Sequence, residues 1–140
     1  MLIARLLPLV LAVFALVGPL RADDLPDCAN PADQYSMTYC AAIEYEAADA
    51  DLNALWPKVV AVARANDEYV GDVARQRGLP TTFEALRNAQ RAWIRFRDAQ
   101  CDYESYTVFG GTAQPMVVSL CLARLTRERF EVLSQVLESR

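Results

Sequence analysis

The sequence predicts an all-α fold of three principal helices, in which the second and third form a hairpin stapled by a disulfide. Apolar residues recur at intervals of three and four, strand-like alternation is absent, and a glycine pair separates two helical patterns. Cys101 lies ten residues before Gly111, and Cys121 lies ten residues after it. If the chain folds back at Gly110-Gly111, residues equidistant from the turn come level with each other. We therefore predict that Cys101 pairs with Cys121.

Residues 1–22 have the outline of a secretory signal peptide. Arg5 precedes an apolar run over residues 6–20, and an acidic sequence follows Ala22. The run is shorter than the roughly 20 residues of a membrane-spanning helix, and prolines interrupt it. An uncleaved anchor is the alternative. We expect cleavage after Ala22, leaving residues 23–140 as a periplasmic or secreted domain with no stable membrane anchor.

The mature chain is acidic. Of the 14 basic residues in the sequence, Arg5 and Arg21 leave with the signal peptide, so that 12 basic residues face 18 acidic ones and the net charge becomes −6. Such a charge repels nucleic acid and favours cationic partners at long range. We therefore expect no nucleic-acid binding, and the length suits a single domain.

Four cysteines in an exported chain indicate two disulfides, for which three pairings exist. If Cys101 pairs with Cys121, Cys28 is left to pair with Cys40 and ties the amino-terminal segment to the first helix. The chain has no histidine, and its cysteine pairs lack the two-residue separation of a zinc knuckle. We expect no metal and no other cofactor.

The first helix is predicted to begin with Asn30 as its cap and Pro31 at its first helical position. Apolar residues at helical spacing extend it to about Arg75. Pro57 lies inside this run, where it removes a backbone hydrogen bond and clashes with the preceding turn. We expect a kink near residues 53–57, or two helices instead of one. The apolar positions are Ala48, Leu52, Leu55, Val59, Val62, Tyr69 and Val73.

The second and third helices follow a stop and a turn at residues 77–80. Thr81 with Glu84 predicts a capping box at the start of the second helix. The third helix is predicted to begin at Pro115, and Arg129 falls on its apolar stripe. The apolar side of the second helix comprises Phe83, Leu86, Trp93, Phe96 and Cys101, and that of the third comprises Val118, Leu122, Leu125, Val132, Leu133 and Val136.

The sequence offers little for catalysis. Without histidine, neither a Ser-His-Asp nor a Cys-His arrangement can form, and the cysteines are assigned to disulfides. The glycine pair predicts a turn, since a phosphate-binding loop needs more glycines at fixed spacing. Carboxylates that could do acid–base work include Asp49, Asp51, Asp98, Asp102 and Glu104, without any pair singled out. We expect no enzymatic activity.

Several polar side chains lie near the predicted helix interfaces. We expect the arginines to form structural ion pairs, because an unpaired arginine is costly to bury, and the amides to form helix-to-helix hydrogen bonds. Trp93 and Phe96 are expected in the core, not on a ligand-binding surface. The acidic partners would be Asp49, Asp51 or Asp98. The candidate structural polar network comprises Asp51, Asn53, Gln90, Arg97 and Arg129.

The segment over residues 103–112 differs from the rest of the chain. It is rich in aromatic side chains, ends in the glycine turn and lies beside a predicted disulfide. A rigid, exposed aromatic loop is suited to binding a protein. The alternative is that its aromatic rings fold back on the helix ends. The candidate partner-binding loop comprises Tyr106, Val108, Phe109, Gly110, Gly111 and Thr112.

An ordered set of stretches spans nearly the whole mature chain: Cys40, Asp49-Ala50-Asp51-Leu52-Asn53, Gln90-Arg91-Ala92-Trp93-Ile94-Arg95-Phe96-Arg97-Asp98-Ala99-Gln100-Cys101, Gly110-Gly111-Thr112, Cys121 and Leu125-Thr126-Arg127-Glu128-Arg129. In this combination the chain resembles the LprI-like lysozyme inhibitor family of small exported bacterial domains, from about Cys28 to Leu133. The resemblance implies a helical, disulfide-bonded envelope protein whose domain occupies residues 23–140. The family more often continues as plain helix where this chain has Trp56-Pro57.

The resemblance also implies a proteinaceous inhibitor of lysozyme, without assigning any inhibitory residue. Many lysozymes are strongly basic, so an acidic domain would be steered towards them. A stiff loop over residues 108–112 could enter the substrate cleft at little cost in ordering. The alternative function is a structural or scaffolding module of the cell envelope that binds another protein or peptidoglycan.

Overall fold

The computed structural model describes residues 25–138, so the predicted signal peptide lies outside the described residues. Within them the chain forms helices α1 (Gln34–Gln76), α2 (Thr82–Ser105) and α3 (Gln114–Glu138), with a 3-10 turn, Tyr106–Val108, between the last two. The predicted all-α class with three principal helices is confirmed, and this part of the chain contains no strand. None of its helices has a stretch long and apolar enough to cross a membrane.

The start of α1 differs from the prediction. The cap is Asp33 instead of Asn30, because Asp33 has an extended backbone and its carboxylate accepts a hydrogen bond from the backbone N–H of Ser36, at 2.7 Å. Asn30 belongs to a separate turn, where its N–H donates to the carbonyl of Asp27 at 3.3 Å. The Cys28–Cys40 disulfide joins the segment before the helix to the second turn of α1.

Pro57 lies inside a continuous α1, so the alternative of two separate helices is wrong; a kink at this proline stays a prediction. A proline at this position leaves the carbonyl of Asn53 without its helical donor. Both residues are exposed, so water can reach the interrupted turn.

The three helices form a bundle in which α2 runs antiparallel to α1 and α3 runs parallel to it. Near the start of α2, the N–H of Phe83 donates to Asp67, whereas further along the same helix Arg97 approaches Asp49. α3 follows the direction of α1, because successive contacts along one helix follow the order of those along the other. Gln34 at the start of α1 contacts Met116 at the start of α3, Glu44 pairs with Arg127 in the middle of α3, and Val59 packs with Leu133 further along. The turn between α1 and α2 contains Gly78 at a φ of 69° and precedes the predicted capping box, which is present.

The main core lies where all three helices meet. Leu52, Leu55 and Val59 of α1 contact Leu133 of α3, and all four are buried. Partly buried apolar side chains of all three helices pack around them, namely Trp56, Leu86, Trp93, Phe130 and Leu137. Each of the four central side chains contributes about 1.5–3 kcal/mol by burial.

Some residues predicted to be buried are exposed. Phe96 is 56% exposed, because the buried face of α2 follows Trp93, Arg97 and Cys101 at four-residue spacing. Phe96 is turned about 100° around the helix from Arg97. Tyr69 is 84% exposed because α2 begins level with Asp67 and leaves the last turns of α1 without a helix opposite. Three further positions on the predicted apolar faces are exposed as well, namely Val73, Val132 and Val136.

Candidate functional site

The turn between α2 and α3 is stapled by the predicted disulfide. Cys101 and Cys121 are buried and bonded, with their Cα atoms 5.4 Å apart. Leu125, also buried, and Leu122 pack against the disulfide and form a second apolar cluster at this end of the bundle. The second predicted disulfide, Cys28–Cys40, is present as well. The Cys101–Cys121 disulfide therefore fixes the last turns of α2 to the first turns of α3.

Within the turn, Gln114 connects both of its sides. The backbone N–H of Gly110 donates to Gln114 Oε1 at 2.9 Å, and Gln114 Nε2 donates to the Ser105 hydroxyl at 3.2 Å. Ser105 is buried and donates in turn to the carbonyl of Asp102 at 2.7 Å. Gly110 has a φ of 74°, which strongly favours glycine. This hydrogen-bond chain holds the turn in one shape.

The aromatic side chains of the loop point into solvent. Tyr103, Tyr106 and Phe109 are 70%, 65% and 73% exposed. The rings of Tyr106 and Phe109 meet edge to face, with centroids 5.4 Å apart. Such a pair holds both rings in a defined orientation although neither is buried. An exposed pair of oriented rings on a fixed turn is available for contact with a partner.

The remaining loop residues lie around these rings. Gly110, Gly111 and Thr112 are exposed, whereas Val108 is half-buried and its carbonyl accepts a hydrogen bond from Gly111 at 2.9 Å. A shallow depression of about 510 Å³ flanks the glycine pair and extends along the first turns of α3. A second depression, of about 560 Å³, lies beside Tyr106 and extends to Tyr103 and Glu104. The loop over residues 106–112 therefore forms a ridge between the two depressions.

A carboxylate at the foot of the ridge is held in its charged form. Glu104 accepts hydrogen bonds from Gln100 and from Arg124, whose guanidinium lies 2.8 Å away. The hydrogen bond from Gln100 and the nearby Arg124 charge hold the pKa of Glu104 below its ordinary value. Arg124 also contacts Glu128, so a single arginine serves two carboxylates and the foot of the ridge keeps a net negative charge.

Arg97 occupies an interior position between α1, α2 and α3. Its side chain is only 10% exposed and pairs with Asp98 at 2.9 Å and with Asp49 at 3.8 Å. Its guanidinium also donates to the buried hydroxyl of Thr126 at 3.4 Å and lies over the ring of Trp93. The structure thus surrounds Arg97 with the kind of partners expected of a structural arginine.

Arg129 differs, because no carboxylate lies within ion-pair distance of it in the described part of the chain. Its Nε donates to Gln90 Oε1 at 2.9 Å, and its guanidinium lies over the Trp93 ring, 5.8 Å from the centroid. Burial lowers the pKa of Arg129 from its ordinary value. Gln90 therefore makes a helix-to-helix hydrogen bond.

The two remaining residues of the predicted network lie at its margin. Asn53 bonds to Asp49 within α1, at 2.7 Å, instead of bonding to another helix, and its side chain lies exposed at the edge of a hollow between α1 and α2. Asp49 connects it indirectly to Arg97. Asp51 is exposed and lines a small hollow with Arg127 and Phe130, outside the network.

Sequence reasoning missed three polar side chains that organise these regions, Ser105, Gln114 and Thr126. Ser105 and Thr126 are buried, and each hydrogen-bonds to a residue of a neighbouring segment. Their spacing from the hairpin cysteines could have indicated their burial. Ser105 lies four residues after Cys101 and Thr126 lies five residues after Cys121, so each is close to the helix face that the cysteine occupies. A small hydroxyl residue on an apolar face is a candidate partner for a buried donor.

The family model of "Lysozyme inhibitor LprI" matches residues 28–133. An "Uncharacterized protein R02472" of Rhizobium meliloti (strain 1021) is 43% identical over 114 residues, which cover 81% of each chain. No solved structure matches the chain. The chain therefore belongs to the LprI lysozyme inhibitor family.

Proposed function

We propose that this protein is an exported binding protein of the cell envelope that inhibits lysozyme through the ridge formed by residues 106–112. The observation that carries the proposal is the exposure of Tyr106 and Phe109 on a turn that is fixed by a disulfide and by Gln114. Membership of the LprI family supports lysozyme as the target class. Two disulfides are consistent with an oxidising compartment outside the cytoplasm.

The geometry of the ridge favours insertion into a cleft. Two oriented rings supply apolar contact area, and the hydrogen-bonded glycine turn presents them in a shape that does not have to form on binding. Preorganisation of this kind lowers the entropy cost of association. The few side chains that dominate an interface are often aromatic and central, and truncating one of them to alanine costs about 2 kcal/mol or more.

Charge supports the same pairing. The chain has a formal net charge of −4, which becomes −6 for residues 23–140. An acidic inhibitor attracts a basic enzyme at long range, and this attraction raises the association rate more than the final affinity. Inhibition through a docked ridge should therefore persist at moderate salt, whereas inhibition by charge alone should disappear.

The test is turnover of cell-wall substrate by a basic animal lysozyme and by a bacterial lysozyme, with the oxidised protein added at low and moderate salt. We expect saturable inhibition that survives 0.15 M salt, where charges further apart than about 8 Å are screened. Phe109→Ala should weaken inhibition by at least about tenfold, because it removes one of the two rings.

Tyr69→Ala is the matched control, since Tyr69 is an exposed aromatic residue on the last part of α1. It should leave inhibition unchanged. Inhibition that Phe109→Ala and Tyr69→Ala affect equally would refute the assignment to the ridge. No inhibition of either enzyme would refute the inhibitor function and support the scaffolding alternative.

A further inference from the structure

A second candidate binding site lies between α1 and α2, and its nearest residue on α2, Ile94, is about 18 Å along the helix from the ridge. It is a groove of about 240 Å³ whose lining combines two arginines, two amides and apolar side chains, with no carboxylate. This volume is slightly below the roughly 300 Å³ at which pockets for drug-sized ligands begin. The groove therefore suits a ligand of a single ring.

The α2 wall of the groove presents hydrogen-bond donors. Arg87 and Arg91 line it one turn apart, and Gln90 lies between them. The oxygen of Gln90 already accepts a hydrogen bond from Arg129, which has only donors to offer. This bond fixes the orientation of the Gln90 amide and leaves its NH₂ group as a donor for a ligand. All three side chains thus offer donors that suit an acceptor such as an anion.

The two arginines of the groove have no carboxylate partner, in contrast to four other arginines of the described chain. Arg75, Arg97, Arg124 and Arg127 each contact a carboxylate. Within residues 25–138, Arg87 and Arg91 have no carboxylate within ion-pair distance. The Arg87 guanidinium lies over the Phe83 ring, 5.7 Å from its centroid, and its Nε is buried without a hydrogen-bond partner. A buried donor without an acceptor costs about 1–3 kcal/mol. Positive charge is thus concentrated here in a protein that is acidic as a whole.

The α1 wall has a different chemistry. Asn53 donates its NH₂ group to the Asp49 carboxylate, so its side-chain oxygen remains as an acceptor at the groove. Trp56 of α1 and Ile94 of α2 supply apolar surface in the same groove. An acceptor suits a ligand hydroxyl or amide N–H, and the apolar surfaces suit the C–H faces of a ring.

We propose that this groove binds a sugar acid, defined as a single hydroxylated ring that carries a carboxylate or a phosphate. The anionic group binds to Arg87, Arg91 and Gln90, because guanidinium groups match the geometry of both anions. A ring hydroxyl donates to Asn53, and the ring packs against Trp56. The site is separate from the ridge and does not depend on lysozyme inhibition.

The test uses isothermal titration calorimetry of the oxidised protein with three matched sugars. N-acetylmuramic acid carries a carboxylate, N-acetylglucosamine 6-phosphate carries a phosphate, and N-acetylglucosamine is neutral. We expect saturable binding of at least one of the two acids and at least tenfold weaker binding of the neutral sugar. The stronger of the two acids identifies the anionic group that the site prefers.

Two variants locate the site. Arg91→Gln should weaken binding of the acid by about tenfold, because it removes one charge-assisted hydrogen bond. Gln90→Glu keeps an acceptor for Arg129 but places a negative charge at the groove, so it should abolish binding. Arg77→Gln is the control, since Arg77 is an exposed arginine at the end of α1.

Three outcomes would overturn the proposal. The first is that neither acid binds saturably, and the second is that the neutral sugar binds as well as the acids. The third is that Arg77→Gln weakens binding as much as Arg91→Gln does, because general charge attraction would then account for the signal.

Discussion

The two connections of the bundle share one backbone feature but are held by different chemistry. Each contains a glycine at positive φ, Gly78 between α1 and α2 and Gly110 between α2 and α3. The first connection is anchored by a carboxylate, since Asp67 accepts hydrogen bonds from the N–H groups of Thr82 and Phe83 at 2.6 and 3.2 Å. The second is anchored by a disulfide and by neutral groups.

Because the anchors differ, the two connections should respond to different changes in solution conditions. A carboxylate anchor depends on pH, whereas a disulfide anchor depends on redox conditions. The proposed docking ridge lies on the connection whose hydrogen bonds involve no titrating side chain. Its shape should therefore persist over a wide pH range as long as the disulfide is intact.

The largest expected effect comes from removing the Cys101–Cys121 disulfide. The Cys101→Ala/Cys121→Ala double variant should lose about 3 kcal/mol of unfolding free energy in urea, because the unfolded chain regains the entropy of the closed loop. The buried packing of Leu122 and Leu125 against the disulfide is lost as well.

The corresponding Cys28→Ala/Cys40→Ala variant should lose less. The Cys28–Cys40 disulfide closes a shorter loop, with a separation of 12 residues instead of 20, and Cys28 is exposed. An equal or larger loss from this amino-terminal pair would contradict the importance given to the hairpin disulfide.

Alanine substitutions at the two turn glycines should have a medium and nearly equal effect on stability. Neither glycine has an atom within 4 Å of the added Cβ, so the cost arises from the positive φ alone and amounts to about 1 kcal/mol each. Urea unfolding of Gly78→Ala and Gly110→Ala measures this cost. If the ridge is the docking site, only Gly110→Ala should also weaken lysozyme inhibition. A loss of inhibition in both variants would show that stability and not ridge geometry is responsible.

The smallest expected effect is the pH dependence of the carboxylate anchor. Partial burial raises the pKa of Asp67, but hydrogen bonds from the N–H groups of Phe83 and Thr82 outweigh it, and the net pKa lies below its ordinary value of 3.8. A lowered folded-state pKa means that the carboxylate stabilises the fold above pH 3.8, and that this contribution is lost as the pH falls through the lower folded-state value.

Asp67→Asn should therefore destabilise the protein at pH 7, and the difference from wild type should shrink as the pH falls below 3.8. Thermal unfolding followed by circular dichroism between pH 2.5 and 7 measures it. Asp51→Asn is the control, because Asp51 is exposed and has no hydrogen-bond or ion-pair partner among the described residues. A constant difference between Asp67→Asn and wild type across this range would contradict the assigned anchor.

Local sequence signals predicted the parts of the fold that depend on local physics. The Thr81 and Glu84 capping box, the stop at Gly78 and the pairing of Cys101 with Cys121 follow from spacing along the chain. Phe96 and Asn53 were misplaced because the packing of neighbouring helices decides which of two adjacent faces is buried. The cap at Asp33 was missed because Asn30 and Pro31 satisfy the same rules three residues earlier.

The candidate sites divide in the same way. The aromatic loop was predictable from composition and position, whereas the roles of Ser105, Gln114 and Thr126 depend on contacts between segments. The groove over Arg87 and Arg91 also depends on tertiary contacts, since it needs Asn53 and Trp56 from α1 to complete it. Periodicity along a single helix contains no information about such pairs.

The placement of the two disulfides has a topological consequence. Cys28–Cys40 closes a loop at the start of α1, and Cys101–Cys121 closes another within the hairpin, so neither crosses from α1 to the other two helices. A single proteolytic cut in the connection over residues 77–81 would yield two separate polypeptides, each with its own intact cross-link. Noncovalent contacts alone would then hold the two fragments together. They include the packing of Leu133 among the buried side chains of α1, the hydrogen bonds that Asp67 accepts from the start of α2, and the ion pairs of Arg97 and Arg127.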